Sequence, residues 1–214
     1  MKHKYEIARE KIPIFCWSYF KRRGGMMLKR LFVSGYKAHE LGIFNEKNPG
    51  LAIFKKALKR ELVRFLEEEL EWVIISGQLG VEMWAAETVL ELKKEYPHLK
   101  LAVITPFLNQ EEKWKEETQD YYRNIVMHAD YMNSVYQTPY QGVWQFAEKD
   151  KFLLSNSDGI LLVYDEDNVG SPKFLSKLAA KKADTDDYRL FRITAYDLQT
   201  IAEEQQQELY NDYF

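Results

Sequence analysis

Residues 72–87 read WVIISGQLGVEMWAAE, and the change of period within this stretch decides the fold. Trp72-Val73-Ile74-Ile75 is a continuous apolar run of the length of a buried strand. Ser76 to Gly80 turn the chain, and Val81, Trp84, Ala85, Thr88 and Leu92 then recur at helical spacing. A strand that turns into a helix leaves unpaired N–H groups at the helix start, where they and the dipole favour an anion. Gly77 and Gly80 would let a ligand approach the backbone, with Gln78 between them. Glu82, in the first helical turn, would reach a ligand hydroxyl or a reacting centre. A plainer account stands beside this one: acids suit first turns through the dipole alone, and glycines close many strand–helix loops.

Outward from this unit the pattern repeats. Leu31-Phe32-Val33 is a first strand that ends at Ser34-Gly35-Tyr36-Lys37, and the loop runs on to Phe44. After an Asn48-Pro49-Gly50 turn, Leu51, Phe54, Leu58, Leu62, Phe65 and Leu66 mark a helix to about Glu69. The helix after the central turn ends near Tyr96-Pro97. Leu99 to Thr105 is a third strand followed by Pro106, residues 109–130 read as a charged helix, and Tyr131 to Gly142 as a loop. A helix over Val143 to Ser155, a strand over Gly159 to Tyr164 and a polar loop over Asp165 to Gly170 follow. Ser171 with Pro172 reads as an N-cap and first helical residue, and a last strand, Leu190 to Thr194, precedes a final helix. Alternating strands and helices predict an α/β, Rossmann-like three-layer fold. Its mostly parallel sheet would have about five strands, with helices on both faces. In such sheets ligands lie across the carboxyl ends of the strands, here the loops Ser34–Phe44, Ser76–Glu82, Thr105–Phe107 and Tyr164–Pro172.

The 214 residues suit one domain with or without a tail, and 46% hydrophobic content suits a packed core. Charge is uneven. Residues 1–26 carry seven Lys/Arg and two Glu, whereas residues 27–214 carry 23 basic and 31 acidic side chains. The leader is too short in its apolar run for a secretory signal, and no run of about 18 apolar residues predicts a membrane span. Arg22-Arg23-Gly24-Gly25 resembles a translated ribosome-binding sequence. The expectation is therefore a start at Met26 or Met27 and a single domain over 27–214. A lone Cys16 fits a reducing cytoplasm. The acidic body gives no reason to expect DNA as a partner, and no membrane insertion is expected.

No GxGxxG, GxxxxGK[ST] or GxSxG occurs, and His3, His39, His98 and His128 have no metal-ligand spacing, so no metal site is expected. Ser34, Gly35 and Tyr36 could hold a phosphate with Lys37 as countercharge, or Lys37 is simply exposed. Gly170-Ser171 is a second anion site or a well-capped helix, and Trp84 is a core residue or a stacking platform.

These segments carry a resemblance. SGYKAHELGIF, WVIISGQLGVEMWAAE, LAVITPF, SDGILLVYDEDNVGSPKF and the terminal Tyr-Phe are similar to the YpsA family of Gram-positive bacteria, within the SLOG superfamily. The same superfamily holds the DprA and LOG proteins. The resemblance implies a cytoplasmic protein that binds a nucleotide, ADP-ribose or NAD-like ligand, regulatory and linked to cell division. It places the glycine-acid signature on Gly77, Gly80 and Glu82, with Trp84 beside it. Ser34, Gly35 and Tyr36, Thr105 and Pro106, and Gly170 and Ser171 fall on the other ligand-facing loops. The glycine spacing departs from DprA by one residue and no PGG of LOG enzymes is present. The alternatives are a hydrolase of an N-glycosidic or phosphoester bond using Glu82, or a protein whose acidic, aromatic 107–146 segment docks a partner. A homo-oligomer is also compatible.

Overall fold

The computed structural model describes residues 27–45 and 47–212; the expectation for the leader lies outside them. Six parallel strands, β1 (Arg30–Gly35), β2 (Trp72–Ile75), β3 (Lys100–Phe107), β4 (Tyr131–Tyr136), β5 (Gly159–Val163) and β6 (Arg189–Ile193), pair in the order β4-β3-β2-β1-β5-β6. The helices are α1 (Pro49–Glu67), α2 (Val81–Leu92), α3 (Glu116–Met127), α4 (Trp144–Ser155), α5 (Pro172–Thr185) and α6 (Ala195–Asp212). Buried side chains of α1, α2, α3 and α6 share one core with Leu31, Val33, Val73, Ile75 and Val103. Those of α4 and α5 share the other with Phe32, Ile74, Ile104, Ile160 and Leu162. The Rossmann-like α/β architecture is therefore present, with helices on both faces.

Local chemistry explains most boundaries. Asn48 caps α1 by accepting from the Gly50 N–H at 2.9 Å, and Pro49 starts it. Central strands β1, β2, β3 and β5 are buried on both faces, which is why they read as unbroken apolar runs.

Two expectations change. Tyr131–Tyr136, read as a loop, is a sixth strand at the sheet edge, with only Ser134, Val135 and Tyr136 buried. An edge strand needs no continuous apolar face, so Asn133 and Ser134 gave it the look of a loop. The helix expected over 109–130 is limited to Glu116–Met127, because Asn109 takes a positive φ of 55° and the Leu108 N–H bonds to the Thr138 carbonyl instead.

Strand order reverses between β1 and β5. Successive crossovers from β1 carry the chain one way to β4, and the chain then returns to the other side of β1. The carboxyl ends of β1 and β5 therefore diverge into loops that flank one crevice. At the opposite end, Asp158 accepts from the Lys29 and Arg30 N–H groups and pairs with the Arg30 guanidinium at 2.5 Å, tying β5 to the start of β1.

Candidate ligand site at the strand ends

Glu82 organises this end of the sheet. Its side chain is buried, and the residue is 3% exposed. Oε2 accepts from the Ser76 N–H at 2.7 Å, the Ser76 hydroxyl at 2.8 Å and the Gln78 N–H at 3.2 Å. Oε1 accepts from the Ser34 hydroxyl at 2.7 Å. One carboxylate from the first turn of α2 thus pins the exits of β1 and β2 together. A carboxylate so supplied acts as a positioning acceptor.

The glycine turn is equally occupied. Gly80 has φ 117° and ψ −134°, and a Cβ there would lie 2.5 Å from the Ala38 nitrogen and 2.6 Å from the Tyr36 carbonyl. Gly80 bridges to Lys37, the Val81 N–H donates to the Tyr36 carbonyl, and the Ala38 N–H donates to the Leu79 carbonyl. Close approach at this glycine serves the chain's own β1 exit. Gly77 is covered by Gln110, whose amide donates to the Ser76 carbonyl at 2.9 Å and touches the Tyr122 hydroxyl at 3.2 Å. Burial pushes the Tyr122 phenol up to about 12, so it remains a neutral hydrogen-bonding group.

Trp84 packs on Phe54 with ring centroids 5.4 Å apart inside the core. Thr105 and Pro106 belong to β3 and are buried; the Thr105 hydroxyl meets the Ser134 hydroxyl at 2.6 Å. Of the expected site residues Gly35, Lys37, Gln78 and Gly170 are half-buried and Ser171 is exposed, as is His39, while Ser34 and Tyr36 are buried.

Sequence reasoning missed Glu40. The loop after β1 forms a short 3-10 helix, Ala38–Leu41, that points Glu40 across the crevice. Its carboxylate accepts from the Lys37 N–H at 2.8 Å, the Ser171 N–H at 2.6 Å and the Ser171 hydroxyl at 2.7 Å. Ser171 therefore does not cap α5 with its own side chain; its hydroxyl is turned to Glu40. An internal carboxylate sits where an external anion was expected, because the unpaired donors at a helix start attract any negative charge. Tyr36 bridges the same crevice: its hydroxyl meets the Asp165 carbonyl at 3.0 Å and the Asn168 carbonyl, and accepts from the Asp165 N–H at 3.1 Å. Burial raises the Tyr36 phenol, which keeps it protonated for this bridge. Beneath lies a cavity of about 60 Å³ lined by Tyr36, Leu41, Phe54, Val163 and Asp165. A larger groove of about 350 Å³ runs along the second half of α2 against α3, away from the glycine turn.

Burial works to raise the Glu40 carboxyl, but hydrogen bonds from Lys37 and Ser171 outweigh it and hold the group below its ordinary 4.5. A depressed folded value means that these bonds stabilise fully above the ordinary glutamate range, and that the contribution is lost as pH falls through the lower folded value. Glu40→Gln is expected to lower stability by about 1 kcal/mol at pH 7, the scale of a solvent-screened charged hydrogen bond. Thermal midpoints of the two proteins should converge towards pH 3; a gap independent of pH would remove the charge from the account.

The YpsA family model, described as the YspA SLOG family, matches residues 31–198. The chain belongs to the YpsA family. A UPF0398 protein of Brevibacillus brevis is 92% identical over 188 residues, 88% of this chain and 100% of the relative. One from Lysinibacillus sphaericus is 57% identical over 176 residues, 82% of this chain and 98% of the relative. Another, from Bacillus cereus, is 51% identical over 179 residues, 84% of this chain and 97% of the relative. Among solved structures, DNA processing protein A of Helicobacter pylori, described for its single-stranded DNA binding mode, is similar. The TM-score is 0.49 at 14% identity, over 85% of this chain and 82% of that one.

Charge does not support the expectation that DNA is not a partner. The expectation rested on the acidic charge balance, which averages the whole surface, and on the one-residue difference in glycine spacing from DprA. Single strands are held by a local groove and by aromatic stacking, so an acidic total excludes nothing here. No helix among the described residues is long and apolar enough to cross a membrane, and no group of three His, Cys, Asp or Glu side chains among them is placed to hold a metal ion.

Proposed function

We propose that this YpsA-family protein binds a nucleotide-derived ligand, of ADP-ribose or NAD type, in the β1/β5 crevice, and serves as a regulator. The observation that carries this reading is Glu40 on the start of α5. The Ser171 N–H and hydroxyl already hold an anion, and a diphosphate brings more charge and more acceptor oxygens to the same donors. Lys37 stands beside it as countercharge, and the Gly77–Val81 turn lines the neighbouring strand end. Displacing Glu40 would release Ser171 at the start of α5, so ligand binding would change the surface around the crevice. That coupling suits a sensor, and the family resemblance points to cell division as its setting.

A thermal-shift screen of the full chain tests the reading, with NAD, ADP-ribose, mono-, di- and trinucleotides and a short single-stranded oligonucleotide as probes. A ligand at 100 times its dissociation constant should stabilise the protein by about 2.7 kcal/mol. Ser171→Ala and Lys37→Ala should each reduce that shift. A folded protein that responds to none of the probes overturns the proposal.

A further inference from the structure

We propose that the β4 edge of the sheet, with the loop that leads into α4, is the contact surface for a second copy of this chain. The proposal is independent of the nucleotide reading and concerns a different part of the sheet. Charge marks the surface first. Residues 131–147 contain no Asp, Glu, Lys, Arg or His, in a chain that is 29% charged. Phe107, Leu108, Asn109 and Gln110, at the exit of β3, extend the uncharged region. Among the described residues eleven large apolar side chains are exposed, and Met132, Tyr140, Val143 and Trp144 are four of them. Single exposed apolar residues are ordinary, but a run of them without charges has the composition of an interface core. Such cores are depleted in Asp, Glu and Lys and enriched in Tyr, Trp, Phe and Met.

Folding gathers these residues into one patch. Phe107 and Tyr136 end β3 and β4 and are register partners. Tyr140 stands edge-on to Phe107 with ring centroids 5.2 Å apart, and Trp144 edge-on to Tyr136 at 4.9 Å. Phe146 backs them, 5.5 Å from Phe107 and 6.3 Å from Tyr140. Edge-on packing fixes the rings against the body, so they lose little side-chain entropy on docking. Val143 lies between Tyr140 and Trp144 in the chain, at the position before α4. One turn further along α4, Glu148 and Lys151 pair at 2.7 Å and give the patch a polar border.

The backbone of β4 sets the mode of contact. At the middle of the strand the Ser134 N–H donates to the Asn133 side-chain oxygen at 2.8 Å, and the Ser134 carbonyl accepts from the Gln137 amide at 2.9 Å. Side chains thus occupy the groups that a further strand would need, which closes the edge to strand addition. The contact is therefore made by the aromatic and apolar side chains, not by a continued ladder.

Charge also names the occupant. Residues 27–214 carry 23 basic and 31 acidic side chains, and all of that acidic excess lies outside the patch. Two copies meeting elsewhere bring acidic surface onto acidic surface, which costs free energy. A two-fold axis through the patch sets neutral surface on neutral surface, the self-complementary arrangement of a closed dimer. A basic partner would be drawn to the acidic remainder of the body instead.

Sedimentation velocity of the full chain across a range of concentrations tests the proposal, with Tyr140→Glu, Val143→Glu and Phe174→Glu as variants. The three side chains are 50%, 77% and 75% exposed, so each substitution is compatible with the fold, which circular dichroism checks. Wild-type protein is expected to reach twice the mass of one chain. Added salt should leave the dimer intact or favour it, because it screens the acidic repulsion. Tyr140→Glu and Val143→Glu should each weaken the dimer by about tenfold or more, since each buries an unpaired carboxylate in the contact. Phe174→Glu, on α5 and outside the patch, should sediment as wild type. A wild-type monomer at every concentration overturns the proposal. So does a dimer that survives Tyr140→Glu or Val143→Glu, dissociates in high salt, or is lost in Phe174→Glu.

Discussion

Glu82→Ala is expected to destabilise the protein by about 3–5 kcal/mol, the scale of several buried donors left together without an acceptor. The substitution strips the acceptor from the Ser76 N–H, the Ser76 hydroxyl, the Gln78 N–H and the Ser34 hydroxyl together. Each buried donor left alone costs about 1–3 kcal/mol, reduced wherever water enters the vacated space. For a chain of this size each kcal/mol moves the thermal midpoint by about 2–4 °C, so a fall of roughly 10 °C is the expected reading. Glu82→Gln keeps one acceptor but turns an NH₂ towards donors, and should fall between alanine and wild type. A Glu82→Ala protein as stable as wild type would falsify the positioning role and return the carboxylate to direct ligand contact.

Gly80→Ala carries the second large effect. The backbone at φ 117° lies outside what an L side chain adopts without strain, and the new Cβ would meet the Ala38 nitrogen at 2.5 Å and the Tyr36 carbonyl at 2.6 Å. These neighbours are backbone atoms of the β1 exit, so relief requires moving the chain. The expected loss is about 3 kcal/mol or more, from steric overlap added to backbone strain. Gly42 supplies the control: its φ is 65° and nothing lies within 4 Å of an added Cβ. Gly42→Ala should cost about 1 kcal/mol, the price of the left-handed region alone. Equal denaturant midpoints for the two variants would show that the close contact at Gly80 has no energetic weight.

Both predictions bear on how ligand assays are read. Gly80 and Glu82 hold the strand ends in place, so their variants report on the scaffold as well as the site. Lys37 and Ser171 are the cleaner probes, since neither side chain closes the turn between β2 and α2.

Much of this could be read directly from the chain. The apolar runs at Leu31–Val33, Trp72–Ile75, Leu99–Ile104 and Ile160–Val163 announced buried parallel strands, because a strand covered on both faces has no polar side to show. The period change at Ser76–Val81 announced a strand–turn–helix unit, and Asn48-Pro49 announced a helix start. Local patterns could carry these because each depends on residues a few positions apart. The edge strand β4 escaped, since one neighbour and partial exposure leave no such pattern.

The site was legible only in part. Gly77, Gly80 and Glu82 stood out as residue types suited to a strand-end turn, but their partners could not be read, because Tyr36, Ala38 and Ser34 are some forty residues away. Glu40 looked like one acid in a charged loop until folding brought it to Ser171, 131 positions along the chain. Sequence alone determined the alternation of elements, because hydrophobic period is a local consequence of backbone geometry. The tertiary structure alone decided which donors meet which carboxylates, because hydrogen bonds across a crevice are set by strand order, and strand order is a property of the whole chain.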